Sequence, residues 1–152
     1  IKNNIQCLYH FTNKNNIESI NSCGFINSMD QCELDKITPI PGGNKLSNNI
    51  DTQKNISDFV HLSIERRCLM FRDKHDIECL KIDPRVIYYK NTIFCDGNAA
   101  DKYTHFSASV DFFSKLPFDL ILDYRNDLNI KEYKKYQAEI LIYNSIPKRF
   151  FL

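Results

Sequence analysis

Residues 7–25, CLYHFTNKNNIESINSCGF, change periodicity in mid-stretch. The first part, Cys7 to Phe11, is a β-type run with one titratable ring, His10; the second places Ile17, Ile20 and Cys23 on one side of a short helix. Asn13 can cap that helix, Glu18 sits early in it where the macrodipole favours an acid, and Gly24 stands where a left-handed C-terminal residue is wanted. The unit therefore reads as strand, turn, helix and glycine stop.

The 152 residues suffice for one domain, 1–152, that buries its own core. Twenty Lys and Arg against 19 Asp and Glu leave a net charge of +1, so nucleic-acid binding would need local patches rather than a general field. The six cysteines form no C-x-x-C pair and no Cys/His group at zinc spacing; reduced thiols, a cytoplasmic protein and no metal are expected. No apolar run reaches the roughly 18 residues needed to cross a bilayer, so no membrane partner is expected either. A start at Ile1 rather than Met suggests a domain cut from a longer chain.

Outward from the opening unit, residues 30–57 combine Pro39, Pro41, Gly42, Gly43 and a polar run without period, which predicts a long loop, a functional lid or binding loop with a disordered insertion as the plain alternative. DFVHLSI, residues 58–64, then alternates, with Val60, Leu62 and Ile64 on one face and Phe59, His61 and Ser63 on the other. IECLKI (77–82) and TIFCD (92–96) read as further strands, residues 109–117 as a short helix closed by Pro117, and AEILIYNSIP (138–147) as a final strand. One early helix followed mostly by strands makes the fold class α+β.

Glu139 opens the last strand and shares a face with Leu141 and Tyr143, where a carboxylate needs a partner or a task; a solvated glutamate on an edge strand is the plainer alternative. His10 and Thr12 lie on one face of an extended chain and suit a ribose; a satisfied structural histidine is the plainer alternative. SIERRCLMFRDK, residues 63–74, suits phosphates or a solvated turn. In FCDGNAADKYTHF, residues 94–106, Asn98 either faces a ligand or makes the turn.

Four segments in order resemble one family, the DarT-type ADP-ribosyltransferases. LYHFTNKNNIESINSCGF is similar to their NAD-binding opening, SDFVHLSIERRCLMF to their next strand and its Met-containing sequel, IFCDGNAAD to their Asn-Ala segment, and YQAEILIYNSIP to their Q-A-E strand. The resemblance implies a compact core of two packed sheets with short flanking helices and NAD in the cleft. It implies transfer of ADP-ribose from NAD, as substrate, to a base of single-stranded nucleic acid, thymidine in DNA foremost, by a monomeric toxin with an antitoxin protein as partner. RNA or protein acceptors, or a silent NAD- or nucleic-acid-binding module, are the alternatives.

Residue by residue, the resemblance makes Glu139 catalytic. It places His10 and Thr12 at the nicotinamide-side ribose, Asn16 and Gly24 in the same site, and Phe59 and Met70 on the cofactor side. Asn98, Lys134 and Lys135 would contact the strand. One departure stands out: where the family has an arginine that steadies NAD phosphates or the acceptor base, this chain reads LSNNID, with Asn48 and Asn49, and Lys45 as the nearest cation. Either Lys45 substitutes or activity is impaired.

Overall fold

The computed structural model describes residues 5–41, 54–66, 75–122 and 137–152. The opening unit forms largely as its sequence dictates. Strand β1 (Leu8–Asn13) runs into a 3-10 turn (Lys14–Asn16) and helix α1 (Ile17–Cys23), and Gly24 closes the helix at φ 78°. Asn13 caps the 3-10 turn rather than α1, its side chain accepting from the Asn15 amide at 3.0 Å. A Cβ on Gly24 would meet nothing within 4 Å, so the left-handed backbone, not crowding, is what asks for glycine there.

After β2 (Phe25–Asn27) the chain corrects one expectation: the loop does not begin at residue 30, because Met29–Leu34 form helix α2. Ser28 accepts from the Gln31 amide and Asp30 occupies the first turn, two start signals strong enough to hold six residues helical. The next described elements are β3 (Phe59–Ser63), β4 (Ile77–Ile82), a 3-10 turn at Pro84–Tyr88, β5 (Ile93–Cys95) and β6 (Phe106–Ser107). Helix α3 covers Val110–Ser114 with a Ser109 cap; Pro117 does not close it but precedes a further short helix, α4 (Phe118–Ile121).

The final strand is in fact two, β7 (Glu139–Tyr143) and β8 (Ser145–Pro147), separated by Asn144 at φ 66°. Asparagine tolerates this left-handed geometry better than other side-chain-bearing residues. The Asn144 amide donates to the Asp58 carbonyl and its carbonyl accepts from the Ser28 amide, both at 2.8 Å, which fixes the bend. The chain thereby leaves one sheet for another: β7 belongs to a six-stranded sheet ordered β4-β1-β3-β7-β5-β6, whereas β8 pairs with β2.

Alternation in β3 sorts its side chains as the sequence predicts, with Val60, Leu62 and Ile64 at most 2% exposed. They join Leu8, Ile26, Ile82, Ile140, Ile142 and Ile146 in the main core; each such side chain contributes roughly 1.5–3 kcal/mol by leaving water. A second, smaller cluster of Ile56, Cys95, Ala99 and Leu141 includes Leu141 from the β7 face that carries Glu139.

The six-stranded sheet is unevenly zipped. β1 pairs with β4 over six residues and β3 with β7 over five, but β1 and β3 meet in register at Tyr9 and Ser63 alone. Past that pair the two halves part, and the candidate site lies along this seam.

Candidate active site

Glu139 is the first residue of β7, opposite Ser63 of β3, and its side chain is only 15% exposed. A carboxylate so enclosed must be satisfied by donors. The Asn98 side-chain amide donates to Oε1 at 2.8 Å, the Ala99 amide donates to Oε2 at 3.3 Å, and Nδ1 of His61 lies 3.2 Å from Oε2. A carboxylate oxygen only accepts, so that imidazole nitrogen carries the hydrogen. Three donors from two strand-linked segments thus fix the plane of one carboxylate.

Asn98 is itself held by its surroundings. Its Oδ1 accepts from the Ala100 amide at 2.9 Å, and its carbonyl accepts from the Asp101 amide at 2.9 Å and the Thr104 hydroxyl at 2.6 Å. With Oδ1 engaged, the amide hydrogens face Glu139. Asn98 thus makes the turn, one of the two sequence readings, and through the turn reaches the carboxylate of Glu139. Nearby Cys95 is buried, and burial followed by the charge of Glu139 raises its thiol far above the usual range, leaving it a packing group rather than a nucleophile.

His10 bridges the seam. Its Nδ1 lies 3.1 Å from the backbone carbonyl of His61, an acceptor, so Nδ1 bears the hydrogen and Nε2 keeps its lone pair. Burial lowers its pKa to about 4, which keeps the ring neutral at pH 7. His61 thus touches both candidate groups, by its carbonyl to His10 and by its ring to Glu139.

Thr12, two residues along β1, is buried, and its hydroxyl accepts from the Asn16 side-chain amide at 3.0 Å. Asn16 also clamps Ile40 from both sides, donating to its carbonyl at 2.8 Å and accepting from its amide at 2.9 Å, so the chain at Ile40 is rooted beside Thr12. Gly24 serves as the helix stop, and its carbonyl accepts from the Lys148 amide. Phe59 lies at the other end of β3 from Ser63, its ring edge-on to Tyr143 at 5.6 Å between centroids. Lys45, Asn48, Asn49, Met70, Lys134 and Lys135 lie outside the described residues.

The structure accordingly brings together His10, Glu139 and Asn98, and adds His61, which sequence reasoning placed on the correct face of β3 without assigning it to the site. The missing signal was register: alternation says which residues share a face, but only strand pairing puts Ser63, and hence the His61 face, beside Glu139.

Residues 9–152 match the family model described as ssDNA thymidine ADP-ribosyltransferase, DarT. Among solved structures, Thermus sp. 2.9 DarT in complex with ADP-ribosylated ssDNA superposes with a TM-score of 0.74 at 16% identity, covering 97% of this chain and 79% of that one. The same protein in complex with NAD+ gives 0.73 at 16% identity over 97% and 80% of the two chains. Thermosipho africanus DarTG in complex with ADP-ribose gives 0.71 at 17% identity over 96% of this chain and 42% of that chain. At these identities the structural likeness speaks for the fold. No curated protein matches the chain significantly by sequence.

Proposed function

Because the chain belongs to the DarT family of single-stranded-DNA thymidine ADP-ribosyltransferases, we propose that Glu139 is its catalytic carboxylate and that the seam between β1 and β3 receives the nicotinamide-side ribose of NAD. The observation that carries this reading is the grip on Glu139: three donors aim one enclosed carboxylate from the strand next to β3, at the level where β1 and β3 part.

NAD, the substrate, supplies an activated ADP-ribosyl group whose bond to nicotinamide breaks with the electron pair leaving on nicotinamide. Positive charge then grows on the ribose carbon, and a fixed carboxylate nearby stabilises that state more than the ground state. Asn98, Ala99 and His61 hold Glu139 in place before the reaction, so little reorganisation is needed as charge develops. His10, neutral and with Nε2 as an acceptor, is suited to take a hydrogen bond from a ribose hydroxyl. Thr12 and Asn16 anchor the chain at Ile40, rather than offering free groups of their own. The thymine then bonds to the ribose carbon through a base atom whose proton passes to water, and that atom is reachable when the base is unstacked, as it is in a single strand.

The partner this reading assigns is single-stranded DNA. Thermus DarT binds ADP-ribosylated ssDNA in this fold, and DarTG of Thermosipho carries the same fold within a longer chain. We assign the protein a toxin role restrained by an antitoxin, acting as a monomer in the cytoplasm. Among the described residues no helix is long and apolar enough to cross a membrane, and no group of His, Cys, Asp and Glu is arranged to hold a metal ion.

Incubation with labelled NAD and, separately, single-stranded DNA, RNA and total protein tests the acceptor. Label in thymidine-containing DNA is the expected result; label in RNA or protein alone would reassign the substrate.

A further inference from the structure

We propose that Lys54 is a positioning residue for Glu139, acting through the Asn98 turn; this rests on Glu139 being the catalytic carboxylate. Lys54 lies shortly before β3, and its ammonium donates to the backbone carbonyls of Ala99 at 2.6 Å and Asp101 at 2.8 Å. It also stands 5.3 Å from the centroid of the Phe106 ring on the edge strand β6. A lysine ammonium is ordinarily left in water. Here it is spent on two carbonyls of one turn, and that turn is the one that grips the carboxylate.

The connection runs through a single peptide plane. The Ala99 carbonyl and the Ala100 amide belong to the same rigid, trans unit and point opposite ways. Lys54 holds the carbonyl end, and the amide end donates to Asn98 Oδ1 at 2.9 Å. That bond decides which way the Asn98 side chain faces, and its Nδ2 donates to Glu139 Oε1 at 2.8 Å. A continuous chain of hydrogen bonds thus leads from ammonium to carboxylate, each polarising the next. The second carbonyl, that of Asp101, secures the other end of the same turn, whose first and last residues are joined by the bond from the Asp101 amide to the Asn98 carbonyl. Without the ammonium the peptide between Ala99 and Ala100 loses the anchor on its carbonyl side, which loosens the Ala100 amide on Asn98 Oδ1 and with it the aim of the Asn98 amide at Glu139.

Two readouts test this in the full chain. The first does not depend on turnover: by NMR, the Asn98 side-chain amide hydrogens and the Ala100 amide should exchange with solvent markedly faster in Lys54→Met than in the parent. The second is kinetic, with NAD and a thymidine oligonucleotide: Lys54→Met should lower kcat by about tenfold or more while KM for NAD stays within about twofold. Lys54→Arg, which keeps the cation, should recover most of the loss. In an Asn98→Ala background, Lys54→Met should add little, because the chain is already cut.

Unchanged exchange, an effect confined to KM, or a loss that adds fully to that of Asn98→Ala would each overturn the proposal. A melting temperature for Lys54→Met that falls while Lys54→Arg, equally stable to the parent, shows no kinetic recovery would overturn it as well. Glu139→Gln separates the two claims. Its continued turnover would remove the catalytic role of Glu139 and with it the purpose of Lys54; its inactivity beside unaltered exchange in Lys54→Met would remove the Lys54 proposal alone.

Discussion

The side-chain amide of Asn98 donates to Oε1 of Glu139 at 2.8 Å, although 41 positions separate the two residues. The contact joins a turn after β5 to the first residue of β7 and makes Asn98 part of the carboxylate's support. Asn98→Ala should lower kcat about tenfold, equivalent to roughly 1.4 kcal/mol of transition-state stabilisation, with little change in affinity for single-stranded DNA. Asn98→Asp should be worse, because it sets one carboxylate against another. Steady-state kinetics beside DNA binding decide the matter: a drop in DNA affinity at unchanged kcat would make Asn98 a strand contact instead.

His10 gives a pH signature in stability. Its folded-state pKa is lowered from 6.5 to about 4 by burial, so between those values the unfolded chain takes up a proton that the folded chain refuses. Stability is complete above the unfolded value and falls as pH drops toward 4, by up to about 3 kcal/mol from this group. Urea unfolding of the parent and of His10→Gln across that range should show a shallower acid slope in the variant; parallel curves would show that the ring of His10 is not held neutral by the fold. In the same reading, His10→Ala weakens NAD binding by calorimetry.

The bend between β7 and β8 supplies a test of the fold. Asn144 at φ 66° sends the chain from the six-stranded sheet to the pair formed with β2. Asn144→Gly should be close to neutral in stability, whereas Asn144→Val should cost about 1–2 kcal/mol, since a β-branched side chain is strained in the left-handed region. Equal stability of the two variants by denaturant titration would contradict the assigned backbone.

Much of this was legible in the sequence where the signal is local. Asn13, Ile17 and Gly24 mark their turn and helix because caps and helix period act within a few residues, and Val60, Leu62 and Ile64 alternate because one face of β3 meets the core. AEILIYNSIP reads as one strand because its apolar run is nearly continuous, and nothing local distinguishes Asn144 as a bend until the Asp58 carbonyl and Ser28 amide are in place. The site divides in the same way. Glu139 and His10 show themselves as polar groups in apolar strands, but the tie between Glu139 and His61, and the use of Asn98 and Lys54, depend on pairings made across the sheet.

The segment LSNNID carries a prediction drawn from sequence alone. A guanidinium offers a permanently charged, two-point fork for phosphate or base oxygens, and asparagine offers neither. Asn48→Arg, or failing that Asn49→Arg, should raise transfer to single-stranded DNA and make expression toxic to bacteria, while Lys45→Ala should matter little. If both arginine variants stay at the parent level and Lys45→Ala abolishes activity, Lys45 supplies the cation.

We propose that Glu139, held by Asn98, Ala99 and His61, drives transfer of ADP-ribose from NAD to thymidine. This role is tested most directly by single-turnover mass spectrometry of a thymidine-containing oligonucleotide incubated with NAD and either the parent chain or Glu139→Gln. The expected result is one ADP-ribosyl group on thymidine with the parent and a rate lower by on the order of 10² to 10³ with the glutamine variant, at similar melting temperature and NAD affinity. Transfer by Glu139→Gln at near the parental rate would contradict it.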